Sequence, residues 1–311
     1  MTLPRVLKGF LLISAAAILV GVLAGNSSRL LAQNPPKGEA AKTGSINNED
    51  CAICHEDLTK AFDKNPHAAL EKSPSLNLKN SCESCHGPGE AHATNDGDKT
   101  KIISFKAAAK KQYNQQCLAC HAKEQELTGF KGSMHAKSDL ACADCHRIHA
   151  GARLTRLLKE PINTLCMSCH VQRKADFSKP FHHRVREGSM RCTDCHQPHG
   201  GLDRRQLRLT SFGTEPCLLC HSEKAGPFVF NHAPLKIRDC LACHEPHGSN
   251  NTKMLVRSTV RTLCLECHSF TRNVLTAQPP AFHDVRSPRY QNCTTCHTKI
   301  HGSNSSQLFL R

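Results

Sequence analysis

Residues 192–200 read Cys192-Thr193-Asp194-Cys195-His196-Gln197-Pro198-His199-Gly200. Residues 142–149 (CADCHRIH) and 240–248 (CLACHEPHG) repeat the pattern. Two thiols three positions apart lie on one side of a helical turn. Both can bond one planar group, and the next residue turns its imidazole toward that group's centre. Working outward, all 20 cysteines fall into C-x-x-C pairs followed directly by histidine. The odd-numbered motifs are Cys51-Cys54-His55, Cys117-Cys120-His121, Cys166-Cys169-His170, Cys217-Cys220-His221 and Cys264-Cys267-His268. The even-numbered ones are Cys82-Cys85-His86, Cys142-Cys145-His146, Cys192-Cys195-His196, Cys240-Cys243-His244 and Cys293-Cys296-His297. C-x-x-C-H is the attachment signature of c-type haem, with two thioethers to the vinyl groups and the histidine on iron. Disulfides suit an even cysteine count but do not require histidine after every pair. Zinc ribbons do not require it either, and a thioredoxin-like motif would occur once.

The motifs imply ten covalently bound haem c groups and use ten of the 21 histidines as proximal ligands. The rest keep register with the motifs. His67, His135, the His182/His183 pair, His232 and His283 each lie between an odd motif and the next even one. His92, His149, His199, His247 and His301 each follow an even motif. This gives ten distal ligands and one spare histidine. His183 is preferred to His182 because it lies 13 residues after His170, close to the spacing of 12 from His55 to His67 and 14 from His121 to His135. Met134, Met167, Met190 and Met254 keep no such register and read as packing residues. In C-x-x-C-H-x-x-H the second histidine cannot serve the same iron. Trans-axial histidines need Cα atoms about 12 Å apart, whereas three residues span at most about 10–11 Å. His149, His199 and His247 are therefore expected to reach a neighbouring haem.

The proximal histidines of the odd motifs step by 66, 49, 51 and 47 residues, a tandem array of five di-haem repeats across residues 51–301. Basic linkers follow the even motifs and read either as short amphipathic helices or as solvated connectors over haem edges. Residues 93–115 lengthen the first repeat and hold five lysines, either a partner-docking face or a solvated surface. Apolar side chains alone do not make a core here. There is no Trp, there are only 2 Tyr, and the 39 % hydrophobic fraction includes every cysteine. The formal charge of +15 first suggests nucleic acid. Two propionates per haem cancel most of it, and Lys and Arg read as their partners, so no nucleic-acid partner is expected.

Arg5 and Lys8 precede the uncharged run Gly9–Gly25, and Ala32 before Gln33 offers a cleavage site, with Ala24 as another and an uncleaved membrane anchor as the alternative reading. Residues 1–32 read as a signal peptide, 33–50 as a flexible leader and 302–311 as a C-terminal tail. Export agrees with haem attachment outside the cytoplasmic membrane.

Ten C-x-x-C-H motifs behind a signal peptide, with repeated C-H-x-x-H-G steps at His196–Gly200 and His244–Gly248 and a further H-G step at His301-Gly302, resemble the periplasmic decahaem cytochromes of the MtrA/DmsE/PioA type. The resemblance covers residues 51–301. The segment Cys82–His92 is also similar to motifs of other multihaem cytochromes. The resemblance implies a multihaem cytochrome c fold: mostly short helices and loops wrapped around a linear array of ten haems, with little or no sheet. It also implies insertion in an outer-membrane β-barrel porin, with periplasmic and extracellular cytochromes as electron partners. No catalytic residue is expected. A soluble periplasmic shuttle is the alternative. A multihaem oxyanion reductase fits less well, because it needs an open iron and distal histidines are numerous enough to close every site.

Overall fold

The computed structural model describes residues 45–73, 81–106, 109–149, 155–201, 204–208, 216–237, 240–268 and 287–311. The expected signal peptide, most of the expected leader and His283 lie outside the described residues. The longest described helix, Asn48–Phe62, is 15 residues long. The described residues form no strand, only isolated antiparallel bridges. The expectation of short helices without a sheet is borne out. No helix among the described residues is long and apolar enough to cross a membrane. Buried apolar side chains are few: Tyr113, Phe130, Ala141, Phe177 and Val185. A set this small cannot stabilise the chain by side-chain burial alone.

Odd and even motifs differ in backbone. After the first, third and fourth odd motifs the chain stays helical, broken only at the histidine, whereas after His121 it passes into turns. His55 (φ −116°, ψ 37°), His170 (φ −87°, ψ 56°) and His221 (φ −103°, ψ 47°) share one kinked conformation. After the even motifs it extends, at His146 (φ −104°, ψ 146°) and His196 (φ −109°, ψ 146°). Sequence explains the split. Val171-Gln172-Arg173 and Ser222-Glu223-Lys224 are compatible with helix, whereas Pro198 and Pro246 bias the residue before them away from it.

Each linker returns over the even motif it follows. His146 bridges Leu158, His196 bridges Leu207 and His244 bridges Leu255. The turn of each return passes through the left-handed region at non-glycine residues: Arg156, Leu157, Gln206, Lys253 and Met254. Such residues cost about 1–3 kcal/mol each, so the surroundings must hold them. Where described, the linkers hold only three-residue helical turns, Thr155–Leu157 and Thr252–Met254, and read as connectors lying over the even motifs rather than as amphipathic helices. The tail behaves as a fifth linker, with Lys299 N–H donating to the Phe309 carbonyl. At the other end, the expected leader overlaps ordered structure. Ser45 and Ile46 bond the Glu83 carboxylate, and the first helix already starts at Asn48.

An asparagine three residues before the first three odd motifs ties the two motifs of a repeat together. Asn114 Oδ1 accepts from Cys142 N–H at 2.8 Å and Asn163 Oδ1 from Cys192 N–H at 3.0 Å. Asn48 makes the equivalent, longer contact to Cys82 N–H at 3.4 Å. Between repeats the H-G glycine is the contact point. A Cβ at Gly200 would stand 2.5 Å from the Gly129 carbonyl oxygen, and one at Gly248 2.1 Å from that of Asp176. Next to these glycines, Phe181 bridges Ser249 and Phe230 bridges Ser303. Every such contact joins one repeat to the next.

Candidate functional site

The histidine rings meet in pairs, and each pair joins one motif histidine to one non-motif histidine. His67 faces His121 with ring centres 5.9 Å apart, His135 faces His170 at 6.1 Å, His183 faces His221 at 6.4 Å and His232 faces His268 at 6.1 Å. In each of these, the spacer histidine of one repeat meets the odd motif of the next. The second set runs backwards. His149 faces His86 at 5.8 Å, His199 faces His146 at 6.1 Å, His247 faces His196 at 6.0 Å and His301 faces His244 at 6.3 Å. Here the histidine after one even motif meets the even motif of the preceding repeat. His92 meets His55 within the first repeat at 6.3 Å.

The spacing suits a metal between the rings. Two imidazoles bonded to one iron at about 2 Å each, with ring centres about 1.2 Å behind the nitrogens, stand about 6.4 Å apart. Direct ring stacking gives no reason for nine pairs to pick one separation across five repeats.

The outer nitrogens are held as ligation requires. The proximal histidines of the even motifs present Nδ1 to linker carbonyls. His86 meets Ile103 O at 2.8 Å, His146 meets Arg156 O at 2.8 Å, His196 meets Arg205 O at 2.8 Å and His244 meets Lys253 O at 2.9 Å. His297 meets Leu308 O at 2.5 Å. The left-handed residues of the linker aim these carbonyls. Spacer histidines use the neighbouring repeat. His135 Nδ1 meets Pro198 O and His183 Nδ1 meets Pro246 O, both at 2.8 Å. In the first repeat Asn65 mediates the same link, with Oδ1 3.0 Å from His67 Nδ1 and Nδ2 donating to Ile148 O at 2.5 Å. A carbonyl at Nδ1 fixes the proton there and leaves Nε2 free for the metal. His199 Nδ1 is buried with no partner among the described residues, a place for an acceptor from a bound group. Burial also lowers the pKa of His67, His199, His232, His247 and His301, favouring the neutral imidazole that binds metal.

Thiols of neighbouring motifs lie close to one another. Within repeats the first cysteines meet: Cys51 with Cys82, Cys117 with Cys142, Cys166 with Cys192 and Cys264 with Cys293. Between repeats the second cysteine of an even motif lies near the following odd motif: Cys85 near Cys117 and Cys120, Cys145 near Cys169, Cys195 near Cys217 and Cys220, and Cys243 near Cys267. Shared hydrogen bonding pushes the Cys166 thiol up and brings Cys192 down to about 7. Thioethers at these positions would attach successive haems close to one another.

His182 is used differently from His183. Its Nε2 lies 3.0 Å from the Glu187 carboxylate and its Nδ1 2.5 Å from the Lys179 carbonyl, and Glu187 raises its pKa. Expected outcome: His183→Ala removes one low-spin haem signal in electron paramagnetic resonance, while His182→Ala removes none. Met134 N–H donates to Gln206 Oε1 at 2.6 Å. Sequence reading missed the asparagines at 48, 114 and 163, although N-x-x-C stands openly before three odd motifs. It also missed Glu124, whose carboxylate bonds His121 Nδ1.

Known proteins share the attachment motifs. A family described as a doubled CXXCH motif matches residues 182–226 and 232–273, and one described as cytochrome c-type protein NrfB-like matches residues 82–161. The cytochrome c-type protein NrfB of Escherichia coli O6:H1 is 26 % identical over 130 residues, 40 % of this chain and 66 % of the relative. The multiheme cytochrome MtrA of Shewanella baltica (strain OS185) is 35 % identical over 268 residues, 82 % of this chain and 78 % of the relative. Likeness of that extent, on a chain whose every cysteine stands in a C-x-x-C-H motif, makes this protein a member of the MtrA-type multihaem c-type cytochromes, which bind haem covalently and transfer electrons.

Proposed function

We propose that the exported chain carries ten haem c groups, each held by two histidines, and conducts electrons across the outer membrane inside a β-barrel porin. The observation that carries this reading is the exchange of histidines between successive repeats, combined with cysteine contacts that run in chain order. Haem iron supplies one-electron chemistry. The chain keeps each iron closed to substrates and each site next to the following one.

The assignments follow the ring pairs. Spacer histidines His67, His135, His183 and His232 serve the odd motif of the next repeat. His149, His199, His247 and His301 serve the even motif of the previous one. The ends lack one neighbour each. His92, with no earlier repeat to serve, takes the first motif at His55. His283 is the histidine that remains for His297. Twenty ligands closing ten irons favour conduction over oxyanion reduction, which needs an open iron.

No described helix is long and apolar enough to cross a membrane. Mean hydropathy is −0.44, and linker arginines such as Arg204 and Arg205 are exposed. Placing such charges against lipid costs about 2.5–3.5 kcal/mol each at the midplane on insertion scales. The polar lumen of a barrel removes that cost. Periplasmic and extracellular cytochromes are the electron partners in this reading.

The test uses liposomes loaded with a redox dye, with reductant outside. Cytochrome plus its barrel partner bleaches the dye, and either alone does not. Bleaching by the cytochrome alone in intact vesicles defeats the porin reading. No bleaching with a folded, bound barrel favours a periplasmic shuttle.

A further inference from the structure

The position three residues after the odd-motif histidine differs in charge from repeat to repeat. It is Leu58, Glu124, Arg173 and Lys224 in the first four repeats. In the second repeat its carboxylate reaches the motif histidine itself: Glu124 Oε1 bonds His121 Nδ1. Elsewhere the hydrogen-bonded outer nitrogens meet neutral oxygens, except that His247 Nδ1 lies 3.1 Å from the Arg173 guanidinium and 3.5 Å from the Glu245 carboxylate, so that the arginine offsets the carboxylate there. Those of His86, His146, His196, His244 and His297 meet backbone carbonyls, as do those of His92, His135 and His183. That of His67, the ring across from His121, meets the Asn65 side-chain oxygen. Glu223 stands 4.0 Å from His221 Nδ1, beyond hydrogen-bond reach, and Lys224 draws it away at 3.6 Å.

We propose that Glu124 sets the reduction potential of the haem on Cys117 and Cys120, holding it below that of its neighbours. The inference rests on the ligand reading above, in which His121 and His67 close this iron. The reaction concerned is the one-electron couple in which ferric iron takes an electron from an adjacent haem, with no bond made or broken. A carboxylate accepting the Nδ1 proton strengthens the imidazole as a donor and places a negative charge beside the ligand. Both effects favour ferric over ferrous iron. A carbonyl supplies only a dipole, and charge-assisted bonds are roughly twice as strong as neutral ones. Glu124 is a positioning residue, acting through His121 without touching iron.

The side chains bound the effect. His121 is 38 % exposed and Glu124 56 % exposed, so water and salt screen the charge. About a tenfold change in the equilibrium of one haem is expected, which is about 59 mV for one electron. The affected site is third in chain order. It stays oxidised while others carry electrons, and it sets the first two motifs apart from the remaining seven. Electrons pass it by a short uphill step, in either direction.

The experiment is a potentiometric titration of the fully loaded chain, followed by electron paramagnetic resonance. In the unaltered protein about one tenth of the low-spin signal is reduced last. Glu124→Gln, which keeps shape and an acceptor oxygen, moves that tenth upward by about tenfold while all low-spin signals persist. Glu124→Asp restores part of the shift, and Glu223→Gln leaves the last-reduced tenth where it was. High salt reduces the difference between the unaltered protein and Glu124→Gln. An unmoved last tenth in Glu124→Gln overturns the proposal. His121→Ala separates that failure from one of the ligand reading. Loss of one low-spin signal there upholds His121 as a ligand and leaves only the role of Glu124 refuted. Retention of every low-spin signal overturns both.

Discussion

Alanine at His199 opens the iron of the haem attached at Cys142 and Cys145, and leaves that of the haem attached at Cys192 and Cys195 closed. His199 lies three residues from His196, yet its ring faces His146 in the preceding repeat at 6.1 Å. Removing it leaves that haem with one protein ligand, so one haem in ten turns high-spin. Cyanide binding then rises from essentially none to one equivalent per chain. The site is identified by a second variant in which Cys142 and Cys145 are both replaced, so that this haem is never attached. On that background His199→Ala adds no further high-spin signal, because the two changes act on one site. A new high-spin signal there means that His199 serves another iron.

Gly248→Ala has the second large effect, on stability and ligation together. Gly248 has φ +146°, and a Cβ there meets the Asp176 carbonyl oxygen at 2.1 Å. That oxygen belongs to backbone, so neither side can yield cheaply. The junction also carries the Phe181–Ser249 bridge and the ion pairs of the buried Asp176 with Arg173 and Lys179, both 2.7 Å. Left-handed strain and overlap together cost about 3 kcal/mol or more. Two ring pairs cross the same junction, His183 with His221 and His196 with His247. Thermal unfolding of Gly248→Ala is expected well below that of the unaltered protein, with two haems losing low-spin character on warming before the rest. Gly132→Ala is the control, since a Cβ there meets no atom within 4 Å. It leaves the transition within a few degrees. Equal transitions for the two variants mean that the glycine contact does not hold the repeats.

The attachment motifs were legible because covalent chemistry needs two thiols and an imidazole at fixed spacing, wherever the rest of the chain goes. Ring partners were not. They depend on how repeats stack, and nothing local distinguishes a histidine that reaches forward from one that reaches back. Chain geometry did exclude His149, His199 and His247 from their own motifs, and each now faces another one. The H-G step was visible as a pattern without a reason. Its reason is the close passage of the preceding repeat, a tertiary fact. The linkers stayed open between helix and connector because Arg and Leu at mixed spacing look amphipathic. Their role lies in a carbonyl, which every residue has, aimed by a backbone twist that composition does not reveal.

The exchange of histidines across junctions also says how such a wire can change length in evolution. Every internal junction sends one ring forward and receives one back, so a whole repeat inserted between two others inherits a full set of partners. The wire then grows by two irons, and both ends close as before. Inserting a single motif shifts every later forward and backward reach by one place, stranding one ring and leaving one iron open. Duplication in units of two irons keeps such a conductor intact at each step, and the natural lengths of cytochromes built on this exchange should therefore be even.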